Sequence, residues 1–199
     1  MRTAKKNIEQ YRERLKNYFL QVDPSANPEQ LSELVSCFTL DKFEKKEIIL
    51  AAGESSDLVC FVLEGMVRVY YIKEDKEITN WFISENMLFA ATYSIYTGKK
   101  NYTTYEALED TLVLKINYST LEKFYDKYHS MEHLGRVMIQ AYYAAFIKKT
   151  YDVLSLSADD RYQLFVKENS GLLNRISLKY IASYLGITQE TLSRLRAKQ

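Results

Sequence analysis

The run Ile176-Ser177-Leu178-Lys179-Tyr180-Ile181-Ala182-Ser183-Tyr184-Leu185-Gly186-Ile187-Thr188-Gln189-Glu190-Thr191-Leu192-Ser193-Arg194-Leu195-Arg196 reads as two short helices joined at a turn. In the first, Leu178, Ile181, Ala182 and Leu185 recur at helical spacing. Ser177 stands where a hydroxyl accepts from first-turn amides, and Gly186 has the freedom to end the helix in a left-handed conformation. Thr188 is placed to cap the second helix. There Thr191, Leu192 and Leu195 turn toward a core, while Gln189, Glu190, Ser193, Arg194, Arg196 and Lys198 are left for another surface. This pattern suits a helix that reads DNA in the major groove. Glu190 and Arg194 lie four apart and share a face. A carboxylate there can accept from a cytosine amino group and a guanidinium can bridge O6 and N7 of guanine, each contact worth about 1–3 kcal/mol of discrimination. An i,i+4 surface ion pair is the alternative use of the same two residues. It would contribute only about 0.3–0.5 kcal/mol and leaves turn, caps and core pattern unexplained.

The run Ile181 to Thr188, followed by Glu190-Thr191 and Leu192-Ser193-Arg194-Leu195, resembles the helix-turn-helix of the cAMP receptor protein and fumarate-nitrate reduction regulator (CRP/FNR) family. The resemblance implies that Glu190 and Arg194 read base edges, that Ser193 lies against the DNA and that Gln189 varies specificity. Local charge agrees. The chain is formally +1, yet from Gly171 to Gln199 five basic side chains face the single carboxylate of Glu190, a net +4 that leaves the first 170 residues at −3. Lys179, Arg196 and Lys198 are candidates for phosphate contacts, with the Ser177 and Thr188 hydroxyls at helix N-termini.

At 199 residues, 47% hydrophobic and 27% charged, the chain can hold a core of ordinary size plus a smaller module. Residues 1–22 alternate Lys, Arg and Glu with Tyr18, Phe19 and Leu20 and lack the apolar stretch of a signal peptide, so a cytoplasmic location is expected without a membrane partner. Cys37 and Cys60 are too few for a disulfide framework or a four-thiolate cluster, and Cys60, in an alternating apolar run, reads as a buried thiol.

Between about Phe43 and Ile116 the period changes to two. Strand-length runs at 58–63, 67–71, 77–83 and 111–116 are separated by Glu64-Gly65, Glu74-Asp75 and Glu109-Asp110, which suggests a double-sheet roll. Gly53 before one strand and Leu63-Glu64-Gly65 between two others are similar to the cyclic-nucleotide-binding barrel of the same family. In members that hold a cyclic nucleotide, a Gly-Glu pair serves the ribose and an Arg-Ser the cyclic phosphate. Here Ala90-Ala91 and Asn101-Tyr102 stand at those places. A buried phosphate without its guanidinium loses a charge-assisted contact, so tight cAMP binding is not expected. Lys99 and Lys100 beside Gly98 read as a solvated turn. Trp81, Phe82, Phe89, Tyr93, Tyr96, Tyr102 and Tyr105 either line a pocket for an apolar or planar ligand or fill the space themselves, the filled core being favoured.

From Asn117 to Tyr151 the pattern is helical. Leu121, Phe124, Tyr128, Met131, Leu134, Met138, Ala141 and Ala145 keep spacings of three and four, and Gly135, Ala144 and Ala145 are small enough for close approach. A homodimerisation helix is expected, as the resemblance also implies, with a single helix lying on the barrel as the alternative. Asp152 to Ser157 reads as a hinge, after which Ser157-Ala158-Asp159-Asp160 opens a helix through about Glu168 that packs Tyr162, Leu164, Phe165 and Val166. The chain stops at Gln199, so the β wing that follows this motif in many relatives is expected to be missing.

Enzymatic readings find little footing. No His precedes His129, so a strand-borne His and carboxylate metal site is not expected. The His129/His133 pair lacks the His-Glu-x-x-His arrangement, and no phosphate loop or nucleophile elbow is visible. No cofactor is expected: neither cAMP, haem nor an iron-sulfur cluster.

The expected architecture is α+β. Residues 1–116 form N-terminal helices and a cyclic-nucleotide-binding-like double-stranded β-helix (jelly roll), 117–151 a long dimerisation helix, and 152–199 an all-α helix-turn-helix domain. The expected function is that of a bacterial transcription regulator, a homodimer on an inverted repeat. Double-stranded DNA, a second copy and RNA polymerase are the expected partners, with an unidentified small-molecule effector or none. A sensor that acts through protein partners, its DNA module vestigial, is the competing reading.

Overall fold

The computed structural model describes residues 2–197, with side chains from residue 8 onward. The chain forms two compact units, residues 1–69 with 82–140, and residues 70–81 with 141–199.

The first unit opens with α1 (Arg2–Val22) and α2 (Pro28–Ser36). Asn27 caps α2 by accepting from the amides of Glu29 and Gln30 at 2.9 and 3.1 Å, and Pro28 fills the first helical position, where no amide partner is needed. Eight strands follow: β1 (Thr39–Phe43), β2 (Ile48–Leu50), β3 (Leu58–Glu64), β4 (Val67–Lys73), β5 (Lys76–Ile83), β6 (Leu88–Ala90), β7 (Thr104–Ala107) and β8 (Thr111–Asn117), with the short helix α3 (Thr92–Thr97) between β6 and β7. They make two four-stranded sheets, ordered β1-β8-β3-β6 and β2-β7-β4-β5, a double-sheet roll. The four strands expected at 58–63, 67–71, 77–83 and 111–116 are present with ends moved by one or two residues. The short strands β1, β2, β6 and β7 carry too few residues to show a period.

Turn chemistry sets the register. Gly65 joins β3 to β4 at φ 94°, and a Cβ there would come within 2.6 Å of the Asp110 carbonyl oxygen, so only glycine fits. Glu74 and Asp75, at φ 50° and 60°, form a two-residue hairpin turn between β4 and β5. Cys60 is fully buried.

One core runs through this unit. Leu15 and Phe19 of α1, Leu31, Leu34 and Val35 of α2, and Phe61, Leu63, Leu114 and Ile116 of the roll pack together with Leu121, Phe124, Met131 and Leu134. The last four come from α4 (Tyr118–Lys127) and α5 (His129–Ser155), where a single helix over 117–151 was expected. The chain leaves helical geometry at Tyr128 (φ −135°, ψ 112°), which ends α4 and separates it from α5.

This corrects the expected dimerisation seam. Leu121, Phe124, Met131 and Leu134 are buried in the core of their own chain, and Met138 and Tyr128 pack against it. Gly135 sits under Tyr125, whose ring a Cβ would approach within 2.9 Å. Ala141 and Ala145 are exposed. What α5 leaves in solvent is a different apolar row, Ile139, Tyr143, Phe146, Thr150 and Val153 at spacings of four and three, flanked by Tyr142, Ile147, Tyr151 and Leu154.

The second unit contains the tip of the β4–β5 hairpin (residues 70–81), the later part of α5, α6 (Ala158–Glu168), a 3-10 turn (Ser170–Leu172), α7 (Leu178–Leu185) and α8 (Gln189–Arg196). Helix α5 continues to Ser155, which leaves a shorter break before α6 than the expected hinge. Among the described residues, no helix is long and apolar enough to cross a membrane.

Candidate nucleic-acid interface

Each end of the α7–α8 pair is closed by its own residues. The Ser177 hydroxyl accepts from the Tyr180 amide at 3.4 Å, and Thr188 Oγ1 accepts from the Thr191 amide at 3.1 Å. Gly186 takes φ 67°, where a side chain would be strained, and the Ile187 amide reaches back to the Ala182 carbonyl at 3.0 Å. Arg161 of α6, which sequence reasoning did not single out, braces the turn. Its Nε donates to the Leu185 carbonyl at 2.9 Å and its Nη1 to the Leu156 carbonyl at 2.6 Å. Helix α6 starts as expected at Ser157, whose hydroxyl accepts from the Asp160 amide at 3.1 Å.

Burial then sorts the faces. Ile181, Ala182, Leu185, Leu192 and Leu195 are buried with Tyr162 and Phe165 of α6, whereas Leu164 and Val166 are half-buried and Leu178 is exposed. Gln189, Glu190, Ser193 and Arg194 are all exposed on α8. Arg194 Nη2 donates to Thr191 Oγ1 at 3.3 Å, which holds the guanidinium along its own helix. Of the candidate phosphate contacts, Lys179 and Arg196 are exposed, and Ser177 and Thr188 are exposed while serving as caps. Lys198 lies outside the described residues.

A cluster that the sequence did not reveal ties α7 to the hairpin tip. Ser183 Oγ accepts from the Thr79 amide at 2.9 Å and donates to the Glu77 carbonyl at 3.1 Å. Lys149 Nζ lies 4.9 Å from the centre of the Trp81 ring and 4.2 Å from that of Tyr184, and donates to the Asn80 backbone carbonyl. Burial pushes the Lys149 amine down to about 8. Burial also pushes the Tyr184 phenol up to about 12, helped by the carboxylates of Glu168 and Asp152 and opposed by Lys148.

In the roll, the positions that the sequence resemblance set against a nucleotide have partners of their own. Ala91 is fully buried at the start of α3 and offers it no side-chain cap. The Ala90 carbonyl accepts from the Tyr105 hydroxyl at 2.8 Å, and the Tyr105 ring stacks on Phe89 with centroids 5.5 Å apart. Asn101 is buried and holds its own loop. Its Nδ2 donates to the Thr103 carbonyl at 2.8 Å, its Oδ1 accepts from Thr103 Oγ1 at 3.2 Å, and its backbone pairs with Gly53 and Glu54. Tyr102 turns outward against Tyr93, 4.8 Å away, and Lys99 and Lys100 are exposed beside the left-handed Gly98. The expected aromatic set therefore divides. Phe82, Phe89 and Tyr105 are buried, Tyr93, Tyr96 and Tyr102 lie at the surface, and Trp81 belongs to the other unit. His129 and His133 have separate partners, Glu132 and Asp23, each at 3.7 Å.

Residues 40–128 match the family model described as the cyclic nucleotide-binding domain. Among solved structures, FixK2 from Bradyrhizobium japonicum is 24% identical at a TM-score of 0.69, with 81% of this chain and 83% of that one aligned. The c-di-GMP-responsive global regulator CLP from Xanthomonas campestris is 12% identical at a TM-score of 0.68, over 86% and 91% of the two chains. The catabolite activator protein of Thermus thermophilus is 18% identical at a TM-score of 0.56, over 89% and 85%. No curated protein matches the sequence significantly.

Proposed function

We propose that this chain, which carries a cyclic-nucleotide-binding roll and has the fold of the CRP/FNR transcription regulators, is a sequence-specific DNA-binding regulator. It acts as a homodimer on an inverted repeat. The observation that carries the reading is the division of α8: Leu192 and Leu195 are buried, while Gln189, Glu190, Ser193 and Arg194 stand together in solvent on a helix whose N-terminus is capped and open. Arg194 reads guanine and Glu190 accepts from cytosine, with Lys179, Arg196 and the capped N-termini of α7 and α8 on phosphates.

The exposed row Ile139, Tyr143, Phe146, Thr150 and Val153 supports the dimer, because its spacing is that of a two-helix seam and a second copy offers the same row. It replaces the seam read from the sequence. Two reading heads so joined suit half-sites one helical turn, about 34–36 Å, apart. The regulator works without cAMP. Residues 88–103 contain no arginine, and Asn101 holds its own loop by hydrogen bonds to Thr103. Its effector is of another class or absent, it needs no metal, haem or iron-sulfur cofactor, it catalyses no reaction, and it acts in the cytoplasm, where RNA polymerase is its further partner.

The test is selection of the purified protein on random duplexes at fixed salt, with sequencing of the retained pool. Enrichment of an inverted repeat whose guanine preference vanishes in Arg194→Ala is the expected result. Retention without sequence preference, unchanged by Arg194→Ala and by added metabolite extract, would overturn the reading in favour of a protein-recruiting sensor.

A further inference from the structure

Strand β5 is the outer strand of its sheet and presents a row of outward amides and carbonyls. At Glu77 and Thr79 that row is met by one hydroxyl, Ser183 Oγ, which takes the Thr79 amide and gives its proton to the Glu77 carbonyl. A serine on a helix thereby occupies the place of a neighbouring strand. At the next two residues of β5, the Asn80 carbonyl and the Trp81 ring receive Lys149 of α5, and Tyr184 also lies against that amine. Ser183 and Tyr184 are adjacent on α7, the helix that is joined to α8 through Gly186. Three separated segments, 77–81, 149 and 183–184, therefore meet at one cluster next to the helix that orients the base-reading residues.

We propose that Ser183 and Lys149 are the positioning residues of the reading head: they fasten α7 to the β4–β5 hairpin tip and so fix the angle at which α8 is presented. The role rests on the DNA-binding reading above, whereas the fastening does not. Neither residue touches DNA in this role. A hydroxyl suits the fastening because it donates and accepts at once, which alanine cannot do. The lysine suits it because its stem packs along aromatic faces while its ammonium reaches a carbonyl. The charged groups that act on Tyr184 pair among themselves: Lys148 with Asp152 at 2.8 Å and with Glu168 at 3.2 Å.

The experiment is amide hydrogen exchange on the full chain together with binding to the selected duplex, for the parent, Ser183→Ala, Ser183→Thr and Lys149→Met. The expected result is that Ser183→Ala speeds Thr79 exchange about tenfold, the scale of one hydrogen bond's net worth, while Leu185 inside α7 stays protected. Ser183→Thr keeps the parent's Thr79 protection. Lys149→Met combined with Ser183→Ala weakens duplex binding about tenfold, and each variant's secondary structure is unchanged. Thr79 protection equal in Ser183→Ala and the parent would overturn the fastening. Loss of Thr79 and Leu185 protection together would also overturn it, because the hydroxyl would then serve only the folding of α7. Faster Thr79 exchange with duplex affinity unchanged in the double variant would overturn the positioning role. If the parent itself bound no duplex, the regulator reading and the positioning role would fail, and the Thr79 result would still decide the fastening.

Discussion

The segment from Leu88 to Ala107 and the segment from Ser177 to Arg196 are both short, polar-rich stretches set on apolar cores, but they use their polar groups in opposite ways. In the first, Asn101, Thr103 and Tyr105 are buried and their side-chain polar groups are satisfied by each other and by backbone of the same unit, and Phe89 and Tyr105 stack over one another. In the second, polar side chains either cap helix ends or stand in solvent, and the apolar ones are buried beneath them. A buried polar group that already has its partners has little to offer a ligand, because displacing those partners costs about what the new contact returns. An exposed polar row on a rigid helix has that capacity intact. This difference supports the proposal that recognition lies at the C-terminal helices and not in the roll.

Breaking the proposed seam between copies has the largest expected effect on this contrast. Phe146→Glu places a carboxylate in the middle of the exposed row of α5, and sedimentation should show a monomer. Loss of the second reading head should weaken binding to the inverted repeat by roughly a hundredfold or more, since avidity between linked sites is of order 10²–10⁴. A dimer that persists in Phe146→Glu would place the interface elsewhere. Next comes Leu192→Ala, which empties a fully buried site beneath the reading row. Denaturant unfolding should show a loss of about 2–5 kcal/mol.

The smallest effect sharpens the comparison through pH. Folding lowers the Lys149 amine from 10.5 to about 8. Between those values the unfolded chain binds more protons than the folded one, so stability rises with pH across that window. In Lys149→Met this rise should be smaller by about 2 kcal/mol, a figure already reduced for the partial exposure of the amine. Parallel pH profiles of parent and variant between 8 and 10 would show that the amine is as well solvated in the folded chain as in the unfolded one.

How much was legible in the sequence follows from how local each signal is. The caps at Ser157, Ser177 and Thr188, the turn at Gly186 and the hairpin turn at Glu74-Asp75 act within four residues, and all five were read correctly. Strands of seven or eight residues showed their period, while β2 and β6, three residues each, did not. The seam failed for a different reason. Spacings of three and four continue from Leu121 to Ala145 in the sequence, but the row that packs inward ends at Met138, and beyond it Ala141 and Ala145 lie in solvent. The signal for the second row was present at helical spacing in Ile139, Tyr143, Phe146 and Val153. Ser183 and Lys149 were out of reach of periodicity, because their partners lie 69 to 106 residues away in the chain.

The most direct test of the claim that Arg194 reads a guanine uses the selected duplex and a second duplex in which 7-deazaguanine replaces the preferred guanine, so that only the N7 acceptor is lost. Parent and Arg194→Ala are titrated with both. The account predicts that the parent loses about tenfold or more in affinity on the altered duplex, the worth of a base contact, and that Arg194→Ala binds the two duplexes alike. Equal losses by parent and variant, or no loss by the parent, would contradict it.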